Sequence, residues 1–228
     1  MKVHLARHGQ AVLFTGQKVL SSLGRKQARL LAKRLDEEED FNGIVLSSPY
    51  LHTLDTAEVM AESLDVPLVP HPGLRERVDR GERRLLKRKR GASLEEMRSL
   101  CCMLDVREPI PDRWWTYHLE TNEKSIMERM GSFVENVCPP NSDLMCIGHA
   151  GSVNSAILYM LRKYDLTQSC GIHSLSELSR AWNCGLTTFE FDGGCVRVLR
   201  VHDTRHLSEP LITMNYERKM DLSFTEGS

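Results

Sequence analysis

The fold is decided by two stretches of the chain: K-V-H-L-A-R-H-G at residues 2–9 and D-L-M-C-I-G-H-A-G at residues 143–151. Each begins with a short apolar run typical of a buried strand and then reaches a histidine beside glycine. In an α/β sheet, ligands bind at the carboxyl ends of the strands. Both loops lead towards helix starts, where free backbone N–H groups favour an anion. The two histidines, His8 and His149, therefore mark the candidate site.

Strands and helices are expected to alternate along the rest of the chain. The periodicity predicts strands at 2–6, 43–48, 66–69, 143–148, 185–191 and 195–201, and helices at 22–37 (with Ser22 as cap), from Pro49 to about Leu64, and at 93–104, 122–137 and 152–163. A polar loop is expected after the first strand. This order predicts a single α/β domain over residues 1–228, with a mostly parallel central sheet and helices on both faces.

Composition excludes several classes of protein. The 228 residues include 30 basic and 31 acidic side chains, a net charge of −1, so charge favours neither a nucleic-acid nor a membrane partner. No apolar run has the length of a membrane span, and the first ten residues do not resemble a signal peptide. The seven cysteines show no C-x-x-C spacing, which predicts neither a zinc site nor a disulfide framework. These features predict a cytoplasmic location.

Residues Arg7, His8 and Gly9 have the chemistry of a phosphoryl-transfer site. Neutral imidazole can attack phosphorus, and histidine is the side chain most readily neutral near pH 7. An arginine can fork onto two phosphate oxygens, and a glycine lets the backbone approach them. A hydrogen-bonded histidine at a strand end remains the structural alternative for His8.

Three motifs in one order resemble the histidine phosphatase superfamily, in its phosphoglycerate mutase-like branch. They are L-A-R-H-G-Q at 5–10, S-S-P-Y-L-H-T-L-D-T-A at 47–57 and I-G-H-A-G at 147–151. Further similar strings are L-S-S-L-G-R-K-Q-A (20–28), L-R-E (74–76), W-N-C-G-L-T-T-F-E-F-D-G-G (182–194) and H-D-T-R-H-L (202–207). The resemblance spans residues 2–207 and implies a phosphoglycerate mutase-like fold and phosphomonoester chemistry.

Carried over by motif, the resemblance implies a role for each matching residue. His8 would be the nucleophile and His149 the second histidine that stabilises the transition state. Arg7, His8, His52, His149 and Ala150 would bind phosphate. Glu76, in L-R-E, matches the proton donor to the leaving oxygen, although Asp79 and Glu82 lie nearby and Glu82 remains an alternative. The resemblance implies no cofactor and no metal, and the nine histidines show no H-x-H or H-E-x-x-H spacing.

Position 52 departs from the family pattern, which carries a phosphate-binding arginine where this chain has His52. Loss of such a preorganised donor typically costs roughly 10²–10³ in rate. Three explanations stay open: His52 binds phosphate weakly, another arginine substitutes, or the site is impaired. Asp55, one helical turn on, would be placed to pair with His52 and keep it charged.

Residues 75–90 supply nine basic side chains against Glu76, Asp79 and Glu82. They belong to an insert, at about 75–125, that the resemblance places over the active site, where it would recognise an anionic or multiply charged substrate. A solvated loop is the alternative for this segment. Trp114 and Trp115, in the same insert, are more often packing residues than substrate contacts.

The favoured interpretation is a metal-independent phosphomonoesterase of the histidine acid phosphatase type, acting through a phosphohistidine on His8. The expected partner is a small phosphorylated substrate. A mutase is the nearest alternative, but no Y-G-x-L-x-G-L-N-K string follows the glutamate motif. A phosphate-binding module that has lost turnover through His52 is the alternative from another class. The substrate and the oligomeric state stay open.

Overall fold

The computed structural model describes residues 1–14, 17–77, 91–107, 109–111, 114–116, 120, 122–138, 140–178 and 180–214. Its strands are β1 (Lys2–Arg7), β2 (Ala11–Phe14), β3 (Gln17–Leu20), β4 (Gly43–Ser47), β5 (Leu68–Pro70), β6 (Asp143–Gly148), β7 (Leu186–Asp192) and β8 (Cys195–Asp203). Its helices are α1 (Ser22–Glu39), α2 (Leu51–Leu64), α3 (Leu94–Leu100), α4 (Glu123–Val137), α5 (Ala150–Lys163) and α6 (Thr167–Cys170). None of these helices is both long and apolar enough to cross a membrane.

The central sheet has six strands in the order β5-β4-β6-β1-β7-β8. The first four are parallel, and β7 and β8 add an antiparallel edge. β1 lies in the middle, and its last residue, Arg7, is in register with Gly148 at the end of β6. The predicted α/β fold with a mostly parallel sheet is confirmed.

Helices cover both faces of the sheet because the central strands bury side chains in both directions. On β6, Met145 and Ile147 pack in the cluster formed with α1 and α2, whereas Leu144 and Cys146 pack in the cluster formed with α4 and α5. The alternation follows from the two-residue period of a strand. A continuous apolar run is therefore what a doubly covered strand requires.

Several predicted boundaries were wrong in ways that local chemistry explains. The cap of α1 is Ser21, whose hydroxyl accepts a bond from the Gly24 N–H at 3.0 Å, and not Ser22. Helix α2 begins at Leu51 rather than at Pro49. The predicted helix 93–104 is shorter, because it starts after a Ser93 capping box and ends at Leu100.

The segment after β1 was predicted as a polar loop, and that prediction was wrong. Strands β2 and β3 form an antiparallel pair there, separate from the central sheet. The turn that leads into the pair packs tightly against the start of α1: a Cβ added at Gly9 would lie 2.6 Å from the Gly24 carbonyl oxygen. Only glycine leaves room for this close approach, so the loop that carries His8 is fixed by backbone contact.

Candidate active site

The two histidine loops meet at the carboxyl edge of the sheet. His8 follows β1 and His149 follows β6, and the His8 N–H donates to the Gly148 carbonyl at 3.0 Å. His149 is the residue before α5, and its backbone N–H donates to the Ser152 hydroxyl at 3.0 Å. The ring centroids of His8 and His149 lie 5.2 Å apart. The adjacency of β1 and β6 thus unites two motifs that are remote in sequence.

The orientation of the His8 ring is set by its own loop. Nδ1 lies 2.7 Å from the Gly9 carbonyl oxygen, which can only accept, so Nδ1 carries the proton. Nε2 then holds the lone pair. The Asn183 amide donates to the His8 carbonyl at 2.8 Å and holds the backbone from the other side. The imidazole is therefore presented in the tautomer that a nucleophile needs.

Burial keeps His8 uncharged. The residue is 1% exposed, and desolvation, with smaller contributions from His52 and Arg7, holds the pKa of His8 well below its usual range. Because a protonated imidazole has no lone pair, this shift preserves the nucleophilic form at neutral pH.

His149 is buried against hydroxyl groups. Its Nε2 lies 3.0 Å from the Ser48 Oγ and 3.4 Å from the Thr53 Oγ1, and its Nδ1 has no hydrogen-bond partner among the described residues. Desolvation, followed by the charges of His8, Lys18 and others, lowers the pKa of His149 well below its usual range. Ser48 and Thr53 were missed as site residues, although both lie in the motif at 47–57.

His52 completes a cluster of three imidazoles. It is 3% exposed, on the first turn of α2, with its ring centroid 4.4 Å from that of His8 and 5.3 Å from that of His149. The structure brings His52 beside the two motif histidines, and its role in binding phosphate stays a prediction. Among the described residues, the Asp55 carboxylate bonds to Arg25 Nη2, at 3.1 Å, rather than to His52. The suggested His52–Asp55 pair is not formed.

Arg7 is the last residue of β1 and Ala150 the first residue of α5, and Arg7 has a structural role. Its Nη1 donates to the Ala181 carbonyl at 3.0 Å and to that of Met214. After burial, its charge is among the smaller influences that lower the pKa of both His8 and His149. Ala150 is the first residue of α5, where backbone N–H groups lack intrahelical acceptors.

Glu76 forms an ion pair with Lys18, a residue that sequence analysis did not select. Lys18 Nζ lies 3.5 Å from Glu76 Oε1, and both side chains are about one-fifth exposed, at 22% and 20%. After burial, which is the main cause, the charge of Lys18 is among the smaller influences that lower the pKa of His8 and of His149. Lys18 lies on β3 of the β2–β3 pair, which the sequence did not predict. The alternatives Asp79 and Glu82 lie outside the described residues.

Part of the predicted basic insert is neutralised. The Arg75 guanidinium lies 3.5 Å from Glu120 Oε1, and Arg129 makes an ion pair with the same carboxylate. Glu120 is 3% exposed and is held between the two arginines. The basic residues from Arg80 to Arg90 lie outside the described residues, so the anion-recognition prediction for them stays a prediction.

A second part of the insert packs against the histidine cluster through Tyr50. The Trp114 Nε1–H donates to the Ala92 carbonyl at 2.9 Å, and the Trp114 ring meets Tyr50 edge-on at 4.9 Å. Tyr50 in turn lies 5.4 Å from the His149 ring and 6.2 Å from the His52 ring. Trp114 therefore packs in the core and is separated from the histidine cluster by Tyr50.

Comparison with known proteins agrees with this architecture. The fold and the paired histidine loops define an α/β protein of the phosphoglycerate mutase-like type. A family model described as "histidine phosphatase superfamily (branch 1)" matches residues 3–204, and the chain belongs to that superfamily. A search of curated proteins finds no match.

Among solved structures, similar folds occur in several phosphatases. One is the ecdysone phosphate phosphatase of Bombix mori in complex with tungstate, with a TM-score of 0.63, 14% identity, and coverage of 91% of this chain and 95% of that chain. A second is the phosphoserine phosphatase of Entamoeba histolytica in complex with 3-phosphoglyceric acid, with a TM-score of 0.58, 19% identity, and coverage of 91% and 99%. A third is a mycobacterial glucosyl-3-phosphoglycerate phosphatase, with a TM-score of 0.54, 16% identity, and coverage of 89% and 99%.

Proposed function

We propose that this protein is a phosphomonoesterase that transfers a phosphoryl group from its substrate to Nε2 of His8. One observation carries the proposal: the 2.7 Å bond from Nδ1 to the Gly9 carbonyl makes Nε2 the unprotonated nitrogen of a ring that lies in a buried histidine cluster. A second buried imidazole, that of His149, lies beside it with ring centroids 5.2 Å apart.

In the first step, His8 Nε2 attacks phosphorus, the N–P bond forms and the bond from phosphorus to the leaving oxygen breaks. The leaving alkoxide takes a proton from Glu76, a role typically worth roughly 10²–10⁴ in rate. Substrate phosphate would compete with Glu76 for Lys18, which lies 3.5 Å from the carboxylate. Binding would thereby release Glu76 from its ion pair, so that it can take up a proton before donating it.

In the second step, water attacks the phosphorus of the phosphohistidine. Glu76 accepts a proton from that water, the N–P bond breaks, and inorganic phosphate leaves. Both steps use side chains of this chain alone, which supports a metal-independent reaction. Water is the favoured acceptor because the sequence lacks the mutase string after Glu76.

The phosphate oxygens would be held by Arg7, Lys18, His52, His149 and the Ala150 N–H. Arg7 and Lys18 are the permanent charges of this set, and both already act electrostatically on His8 and His149. Lys18 is the cation that compensates for the arginine absent at position 52. A phosphate dianion would in turn favour protonation of the two buried imidazoles, because opposite charges stabilise the charged form.

A small phosphorylated substrate fits this arrangement, as in the relatives named for phosphoserine or glucosyl-3-phosphoglycerate. We propose further that the chain is one domain, with the insert at about 75–125 covering the pocket. The packing of Trp114 on Tyr50 at 4.9 Å supports that cover. A cytoplasmic location remains a prediction.

The proposal is tested by hydrolysis of an aryl phosphate and by trapping of the phosphoprotein. Wild-type protein quenched without acid should carry an acid-labile, base-stable label from ³²P-substrate. His8→Ala should abolish label and turnover, whereas His173→Ala, at an exposed position, should leave both unchanged. A label that persists in His8→Ala would exclude His8 as the nucleophile.

The same experiment separates the alternative functions. Transfer of label to a second phosphoester, rather than to inorganic phosphate, would indicate a mutase. Binding of phosphate or vanadate without any turnover would indicate the impaired binding module.

A further inference from the structure

The substitution at position 52 brings three imidazoles together where the family pattern supplies two and a guanidinium. Nitrogen atoms of His8, His52 and His149, one from each, all lie within 4.8 Å of one another. The three residues are 1%, 3% and 2% exposed, and the ring pairs are inclined at 66° to 82°. Rings that meet edge to face around one point can direct their nitrogens inward.

These distances are close to those of a three-histidine metal site. A Zn–N bond of about 2.0–2.1 Å in tetrahedral geometry separates the ligand nitrogens by about 3.3 Å. The nitrogens that lie within 4.8 Å of one another would need to approach by about 1.5 Å at most. Three histidine ligands with a fourth, open position are a known arrangement for zinc.

The surroundings of two of the rings resemble the outer shell of a metal site. The His8 Nδ1–H donates to a backbone carbonyl and so fixes Nε2 as the ligand atom. The bond between His149 Nε2 and Ser48 leaves Nδ1 of that ring for a ligand. Hydrogen bonds of this kind orient metal-binding histidines and fix their tautomers.

We propose that His8, His52 and His149 bind a divalent transition metal ion, Zn²⁺ in the first instance, and that the bound ion inhibits the enzyme. An arginine at position 52 would add a cation to those of Arg7 and Lys18 and would offer no lone pair, whereas a histidine adds a third nitrogen donor. The metal takes the lone pair of His8 Nε2, which then cannot attack phosphorus. The inhibition rests on the proposed function, but the binding does not.

Binding is measured on metal-free wild-type protein by calorimetric titration with Zn²⁺. We expect one ion per chain, with an affinity more than about 100-fold lower in His52→Arg and in His52→Gln, a larger loss than removal of an outer-shell partner causes. His173→Arg, at an exposed position, is the matched control and should bind as the wild type does. Equal affinity in wild type and both His52 variants, or no binding by wild type, would overturn the proposal.

Two further measurements test metal binding on the wild-type protein alone, so they do not depend on whether a variant folds. Co²⁺ should give the visible absorption of a tetrahedral nitrogen site. A thiolate charge-transfer band would instead place the ion at a cysteine, such as Cys102 beside Glu58 and Glu62, and would overturn the proposal. In imidazole ¹⁵N–¹H spectra, Zn²⁺ should shift the signals of three histidines, and shifts confined to others would also overturn it.

Activity distinguishes the two proposals. With a chelator present, wild-type protein should hydrolyse an aryl phosphate, and Zn²⁺ should inhibit wild type but not His52→Arg. Full activity at saturating bound Zn²⁺ would overturn the inhibition. An inactive metal-free protein that binds Zn²⁺ as expected would refute the proposed phosphatase mechanism and leave the metal site standing.

Discussion

Restoring the family arginine, His52→Arg, is the most informative single change for catalysis. The His52 ring centroid is 4.4 Å from that of His8, so a guanidinium at this position would contact any phosphate attached to His8. Such a donor is typically worth roughly 10²–10³ in rate. Because Lys18 would already supply a cation to the phosphate, we expect a gain below that range, of about 10-fold in kcat/KM.

The pH dependence of this gain identifies its cause. Arginine stays charged throughout the physiological range, whereas a histidine loses its charge as the pH rises. The ratio of variant to wild-type kcat/KM should therefore grow from pH 6 to pH 8. Inhibition by vanadate or inorganic phosphate should become stronger in parallel, because both anions occupy the same oxygen sites.

The same substitution should lower stability. Position 52 is 3% exposed, and the arginine side chain is larger than histidine. Overpacking of a buried site costs about 1–3 kcal/mol, which for a chain of this size lowers Tm by roughly 2 to 12 °C. Activity must therefore be compared at a temperature where both proteins are folded.

Two results would refute the reasoning. An unchanged kcat/KM at every pH would mean that position 52 does not face the phosphate. Loss of activity in a folded variant would mean that the pocket has been rebuilt around the smaller side chain. His173→Arg, an exposed substitution of the same type, should change neither kcat/KM nor Tm.

Three further predictions concern the acid, the core and the pH dependence of stability. Glu76→Gln should slow the hydrolysis of alkyl phosphates by roughly 10²–10⁴ and that of aryl phosphates far less, since only the alkoxide leaving group needs a proton donor. Equal slowing of both substrates would mean that another residue is the acid. Trp114→Ala should lower the free energy of unfolding by about 3–5 kcal/mol, because Trp114 is 3% exposed. Trp115→Ala, at a half-buried position, should lower it by less. A larger loss for Trp115→Ala in thermal or denaturant unfolding would contradict this packing. Burial lowers the pKa of His4 from 6.5 to about 3, so the unfolded chain binds the extra proton between these values, and stability present above pH 6.5 is lost as the pH falls towards 3. From pH 6.5 to 5 this loss is about 1.6 kcal/mol. His4→Gln should therefore lose less stability over this pH range than the wild type, and identical profiles would refute the assignment.

The α/β fold and the two loops that carry His8 and His149 could be predicted from the amino-acid sequence alone. These features are local: an apolar run forms a strand, glycine permits a tight turn, and the motif order carries the resemblance. The position of His52 followed from the same motif. Most helix and strand positions also followed, with errors at the ends, because caps such as Ser21 depend on backbone geometry that sequence spacing does not fix.

The groups around His8, the proposed nucleophile, could be identified only once the strands and helices were packed together. Lys18 lies on β3 of the β2–β3 pair, a segment that the sequence pattern predicts as a loop. It forms an ion pair with Glu76, which lies 58 positions later in the chain. The third imidazole beside His8 and His149 became a candidate metal ligand only when α2 was packed against the ends of β1 and β6. Spacing rules such as H-x-H detect ligands on one element, whereas these three lie on separate elements whose approach is set by sheet order and core packing.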